Sequence, residues 1–314
     1  SPMPIRTMIN LWPLFIGLAL IGLAVGVQNS LLGIRAELEG FDDFLIALLM
    51  SCYFAGYMIG SRLTPALIER VGHIRIFAAL SAVASVTILV HAIYVEPWAW
   101  ALMRLLTGFA FSTIFVVAES WLNQASSNAN RGQILAIYTA ILLSGICAGQ
   151  FMLNLASPAG FELFILISVM VSVAAVPILL SVIATPPPDE TERVSIGHLW
   201  HRTPMGVTGI VLCQWVSSIL FGMGAVYATK LGFSIAEVAN FMGAMMAGGM
   251  LFPWPLGKLS DAIDRRWVIG YSCLAAVVVA IMISFETQAS GRLYFLTFLF
   301  GGFSLSLCSL VVAL

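Results

Sequence analysis

Charge is what this chain has least of: only 9% of its 314 residues are Asp, Glu, Lys or Arg, against roughly 25% in a typical soluble domain. A fold with 60% hydrophobic residues has too little polar surface for life in water, so the chain is read as an integral membrane protein. Its net charge is −1 and its few basic residues are scattered among short loops, which leaves no basic face for a nucleic acid. The five cysteines, Cys52, Cys147, Cys213, Cys273 and Cys308, all fall inside apolar runs. They have neither the pairing of a disulfide framework nor metal-ligand spacing, and read as small buried hydrophobes. Histidine is equally sparse, and His198 and His201 fit a solvated loop better than a metal site. No Gly-x-x-x-x-Gly-Lys-Ser/Thr loop occurs, which counts against an ATP-driven pump. No enzyme activity, cofactor or metal is expected. The first apolar run is as long as a full membrane span and lacks a small-residue cleavage site, so no cleavable leader is expected either.

What remains is a series of ten apolar runs of about 20 residues, without the alternation of a lipid-facing strand, which predicts helices rather than a barrel. They cover roughly residues 9–32, 44–67, 74–95, 98–122, 132–155, 161–184, 206–228, 235–256, 268–285 and 293–314. Arg35, Glu37, Glu39, Asp42 and Asp43 read as a net acidic loop between the first two. The single composition shift is Thr185-Pro-Pro-Pro-Asp-Glu-Thr-Glu-Arg, too polar for lipid and too rich in proline for a helix interior. It separates a six-helix bundle, 1–184, from a C-terminal bundle, 206–314, through a linker over 185–205.

Two charged knots organise this series. Pro65 to Ile74 reads Pro-Ala-Leu-Ile-Glu-Arg-Val-Gly-His-Ile, and Gly257 to Arg266 reads Gly-Lys-Leu-Ser-Asp-Ala-Ile-Asp-Arg-Arg. Glu69 and Asp261 stand 192 residues apart, an offset that suits a domain duplicated in tandem. Both stretches resemble the loop between the second and third helices of each half of a bacterial-type major facilitator superfamily (MFS) transporter, Gly-x-x-x-Asp-Arg-x-Gly-Arg-Arg. The first keeps an acid (Glu69), Arg70 and Gly72, with Pro65 for the leading glycine. The second keeps Gly257, Asp261, Arg265 and Arg266, with Asp264 for the inner glycine. The resemblance implies an all-α fold of two pseudo-symmetric bundles that rock about a midplane site. It also implies twelve helices, so two more are expected beyond Leu314.

Lys and Arg set the orientation. With the N-terminus inside, ten of them fall on the inner side and four, including Arg104 within its span, on the outer. The N-terminus and both knots are therefore expected in the cytoplasm. Glu69, Arg70, Gly72, Arg131, Gly257, Asp261, Arg265 and Arg266 are the expected cytoplasmic gate.

Polar residues inside the spans are the candidates for binding. Arg104 stands about six residues into the fourth span, where a lone Arg costs at least about 2.5–3.5 kcal/mol on insertion scales. It should face an aqueous cavity or a partner, unless it snorkels to the outer interface. The spacing Arg104-x-x-x-Gly108 resembles a second family pattern, one associated with proton coupling. Glu119 is the acid that falls clearly within a span. At fifteen residues, roughly 22 Å along one helix, it cannot pair with Arg104. It reads either as a structural ion-pair partner of Arg131 or of the Glu69–Arg75 knot, or as a proton carrier. Gln28 and Asn29 in the first span and Gln214 and Trp215 in the seventh would contact substrate, because in the family those helices line the cavity. Tyr53, Tyr57, Gln150 and Asn240 are further candidates of that kind. Polar side chains also join helices in lipid, and that reading stays open for each. Met242, Met245, Met246 and Met250 fit helix packing better than a ligand wall. The small residues around Gly145 and Gly149 read as a close helix crossing, and the proline of the family's antiporter pattern is missing there.

The expected function is secondary transport of a small organic solute, coupled to protons, by a monomer in the bacterial inner membrane. Efflux is one direction the sequence leaves open. The alternative is a transporter-like sensor or scaffold that moves nothing.

Overall fold

The computed structural model describes residues 5–126, 131–180 and 204–312, with the backbone alone for 5–10, 132, 205, 261 and 312. Every element among them is helical. The chain divides into two compact units, Ser1–Glu190 and Thr191–Leu314. Residues 185–203 of the expected linker lie outside the described residues.

Unit 1 contains α1 (Ile5–Leu38), α2 (Asp43–Val71), α3 (His73–Ile93), α4 (Pro97–Gln124), α5 (Arg131–Phe151), a 3₁₀ turn (Met152–Leu155), α6 (Glu162–Ala174) and α7 (Val176–Leu180). Unit 2 contains α8 (Pro204–Lys230), α9 (Ile235–Leu251), α10 (Pro253–Ala262), α11 (Arg265–Ser284) and α12 (Gly291–Val312). Ten stretches among the described residues are long and apolar enough to cross a membrane, one for each predicted run.

Three helix boundaries depart from the sequence reading, each for a local reason. The acidic stretch after Leu32 is not a loop from its start: α1 continues to Leu38. Arg35 and Glu39 pair across one helical turn at 2.6 Å, a spacing that supports helix. The sixth run breaks after Ala174, before Pro177. The eighth run, read as continuous to Leu256, breaks at Phe252, and Pro253 opens α10 at its first position. A proline there has no amide to donate back into α9, and its fixed φ suits the first turn of a new helix.

Side chains cap several of these helices. Asp42 accepts from the Leu45 amide at 2.7 Å to start α2, and Ser234 with Glu237 forms a capping box at the start of α9. Gly72 joins α2 to α3 at φ +87°, which disfavours any side chain, while its amide donates to the Ile68 carbonyl.

The tandem repeat is visible in how the helices cross. In unit 1, α2 packs most extensively on α4. A Cβ at Gly56 would strike the Leu105 carbonyl, and one at Gly108 the Tyr53 carbonyl. In unit 2, α9 packs most extensively on α12; a Cβ at Gly248 would strike the Phe298 carbonyl, and one at Gly301 the Met245 carbonyl. Gly56 and Gly248 are 192 residues apart and Gly108 and Gly301 are 193, so the offset of the charged knots recurs in the backbone contacts.

Candidate functional site

The α2–α4 crossing determines what surrounds Arg104. With glycine at both contact points the two backbones touch, and the side chains beside them are pressed together. The Arg104 guanidinium carbon lies 4.5 Å from the centre of the Tyr53 ring. Nη2 lies 3.5 Å from the Met50 sulfur, while Nε and Nη1 hydrogen-bond to no protein atom. Arg104 is 1% exposed, and among the described residues no carboxylate pairs with it. Snorkelling to the interface does not describe a guanidinium held beneath an aromatic ring. An unpaired buried cation costs several kcal/mol, and a cation–π contact returns about 2.

Toward the N-terminal end of α4, one turn from Arg104, stands Trp100. It is 1% exposed, and its indole Nε1 has no partner. His91 from α3 packs edge-on against it with ring centres 5.1 Å apart. The His91 Nδ1 lies 2.7 Å from the Thr87 carbonyl, and its Nε2 has no partner. Below them the Thr107 hydroxyl donates to that of Thr87 at 2.8 Å, tying α4 to α3. Trp100 and His91 were not among the sequence candidates, because an apolar span containing Trp and a lone His looks like ordinary core.

Near the C-terminal end of α4, Glu119 is exposed. It accepts a hydrogen bond from the Tyr138 hydroxyl of α5 at 3.0 Å. Among the described residues, the ion pair read from sequence, to Arg131 or to the Glu69–Arg75 knot, is not formed. Arg131, Glu69 and Arg70 are exposed, and among the described residues no salt bridge joins any of them to Glu119. In place of Glu119, the knot contacts α4 through the buried His73, whose Nε2 lies 3.1 Å from the Ser120 hydroxyl. Tyr57 is half-buried one turn from Tyr53, ring centres 6.2 Å apart.

Of the two readings left open for Gln150, its contacts fit the joining of helices. It is fully buried between α5 and α1, where its Oε1 accepts from Ser30 at 2.5 Å and its Nε2 donates to the Gly26 carbonyl at 2.9 Å. Both ends of the amide are occupied within the bundle, so it joins helices. Around it Gly145 and Gly149 lie against the backbone of α1, the close crossing expected from the small residues. In contrast, the amide of Gln28 is 1% exposed with neither atom bonded. Asn29 beside it is 8% exposed.

In unit 2 the crossing carries no charge. By the repeat offsets, Met245 stands where Tyr53 does, and Thr297 stands where Arg104 does. Thr297 is buried and donates to the Leu293 carbonyl at 2.8 Å. Met242, Met245 and Met246 are buried, and Met242 and Met245 meet Gly224 of α8. Gln214, Trp215 and Asn240 are exposed, with the Gln214 Oε1 lying 3.7 Å from the Cys308 sulfur. In the second knot Gly257 has open space around it, Arg265 is half-buried and Arg266 is exposed. The side chain of Asp261 lies outside the described residues.

The sequence candidates in unit 1 thus separate into Tyr53 with Arg104, Glu119 on Tyr138, and Gln150 joining helices. Nucleophile–base geometry is not what these groups provide. They provide a buried cation, unbonded polar atoms and an exposed acid in an otherwise apolar bundle, which suits holding a polar solute in a membrane.

Known proteins share this chain's sequence pattern and fold. The chain is similar to the MFS-type transporter YcaD of Escherichia fergusonii, with 26% identity over 282 residues, 89% of this chain and 74% of that protein. An MFS-type transporter of Enterobacter sp. (strain 638) is 28% identical over 258 residues, 82% of this chain and 68% of that one. Among solved structures, the nucleoside transporter NupG (D323A mutant) superposes with TM-score 0.78 at 12% identity, over 95% of this chain and 81% of its own. A bacterial homologue of the lysosomal transporter Spinster, in an inward-facing and unoccupied conformation, superposes with TM-score 0.75 at 14% identity, over 100% and 75%. Residues 14–314 match the profile of the Major Facilitator Superfamily, with ten spans and a charged loop repeated in register, and the chain belongs to that superfamily.

Proposed function

We propose that this protein is a secondary active transporter. It moves a small organic solute across the bacterial inner membrane by alternating access, with proton movement coupled to that of the solute. The observation that carries the reading is Arg104, 1% exposed and with Nε and Nη1 unbonded, on a helix apolar enough to span a membrane. An ionised group retained there at such cost is best explained by function. Family membership supports transport in general, and the structural neighbour described as a fucose:proton symporter, with TM-score 0.60, is one member of this fold that uses protons.

In this reading Arg104, with Tyr53 against it, holds the solute, and the unbonded amide of Gln28 is a further polar contact. Glu119 is the proton carrier, its carboxylate exposed and held by Tyr138. Glu69 and Asp261 act as latches that pair in one state and part in the other. The N-terminus is cytoplasmic, on the count of basic residues, and the working unit is a monomer. The test is solute-driven proton movement in proteoliposomes, lost in Arg104→Ala and in Glu119→Gln. A transporter-like sensor would bind a solute and move neither it nor protons.

A further inference from the structure

We infer that Arg104, Trp100 and His91 form a receptor within unit 1 for a small monocarboxylate, bound most tightly when the acid also carries a hydroxyl. The inference rests on the transport reading and names its substrate class.

Three buried groups with unbonded atoms stand on the packed helices α3 and α4, Trp100 between His91 across the interface and Arg104 one turn along α4. Arg104 leaves Nε and Nη1 free of protein partners, and Trp100 leaves Nε1. The two are four residues apart on one helix, hence on one face. His91 packs on Trp100 with ring centres 5.1 Å apart. All three residues are at most 1% exposed.

The hydrogen-bond inventory selects the ligand. Arg104 and Trp100 can only donate. His91 is different: a carbonyl can only accept, so its Nδ1, 2.7 Å from the Thr87 carbonyl, carries the proton. Its Nε2 then presents a lone pair. The cluster therefore offers donors from a cation and an indole, together with one acceptor. A carboxylate satisfies the donors and neutralises the charge, and a hydroxyl on the same molecule donates to Nε2. A cation would meet Arg104 with no carboxylate to offset it, and an uncharged solute would leave the guanidinium uncompensated. One guanidinium matches one negative charge. The equivalent crossing in unit 2 brings Met245 and Thr297, without a charge and with the threonine hydroxyl already bonded. Among the described residues, the unit 2 crossing thus lacks the groups that would recognise a carboxylate.

The test is calorimetric titration of the whole chain in phosphatidylcholine nanodiscs, which contain no lipid of net negative charge, with lactate, propionate and lactamide. Lactate is expected to bind best. Propionate, lacking the hydroxyl, should be several-fold weaker, and lactamide, lacking the charge, weaker by about tenfold or more. Arg104→Met should lose lactate binding by about tenfold or more while unfolding at a higher temperature, because it removes an uncompensated buried charge. The lost binding would then not be a folding defect. His91→Phe should bring lactate to the level of propionate. Lactamide binding as tightly as lactate, retention of lactate binding in Arg104→Met, or no binding of either acid would each overturn the inference. Lactate that binds but is not carried into vesicles would contradict the transport reading and leave this one standing. Carriage of uncharged solutes without carboxylate binding would do the reverse.

Discussion

The guanidinium carbon of Arg104 sits 4.5 Å from the centre of the Tyr53 ring, and two glycines hold it there. Gly108 faces the Tyr53 carbonyl and Gly56 faces the Leu105 carbonyl, so the charge is positioned by the closest approach of α2 and α4. Tyr53 covers the cation and Met50 touches one of its nitrogens, while Nε and Nη1 have no partner among the described residues. The repeat in unit 2 keeps the glycine crossing and has neither the tyrosine nor the arginine.

This arrangement makes the crossing glycines intolerant of side chains. Gly56→Val and Gly108→Val each place a Cβ against a backbone carbonyl that cannot rotate away. Each should lose roughly 3 kcal/mol or more, by the overpacking and backbone-shift route. Thermal unfolding in detergent is the check, and a shift of only a degree or two would contradict the close crossing.

The two glycines of the charged knots should behave oppositely. Gly72 has φ +87°, so Gly72→Ala should destabilise by about 1–2 kcal/mol. Gly257 lies inside α10 with nothing within 4 Å of an added Cβ, so Gly257→Ala should be neutral or stabilising by up to about 1 kcal/mol. Melting temperatures of the pair, measured side by side, decide this.

Gln150 is predicted to be structural. Gln150→Leu leaves the Ser30 hydroxyl and the Gly26 carbonyl without their partner and should destabilise the bundle by roughly 1–3 kcal/mol. The apparent affinity for transported solute should stay unchanged in the folded fraction. A large rise in KM without loss of stability would return Gln150 to the substrate contacts.

Glu119 and Tyr138 separate proton carriage from simple pairing. Glu119→Gln keeps an oxygen for the tyrosine hydroxyl and removes the titrating group, so uptake should lose its dependence on a pH gradient. Tyr138→Phe removes the 3.0 Å hydrogen bond and leaves the acid, so the dependence should persist. Wild-type pH dependence in Glu119→Gln would remove Glu119 from the coupling path.

Much of this molecule was legible in its residues because lipid imposes simple rules. A run of about 20 apolar residues with no alternation has to be helical, and the described part of each predicted run is helical, the sixth and eighth in two pieces. Arg104 stood out because its depth alone demanded an explanation. Its surroundings did not, because Tyr53 and Met50 reach it only through the register of the α2–α4 crossing. The same holds for Tyr138: nothing local to Glu119 says that a hydroxyl from α5 arrives before Arg131 does. Gln150 shows the converse limit, since one amide in one span serves either a ligand or a neighbouring helix. Pro253 was a local signal that the length of the apolar run outweighed, and the structure breaks the helix there.

The most direct test of transport through Arg104 is proton movement in proteoliposomes during addition of a panel of neutral and anionic small molecules. A solute-dependent pH change that disappears in Arg104→Ala is the predicted result. A change of equal size in Arg104→Ala, or folded protein that answers no member of the panel, would contradict it.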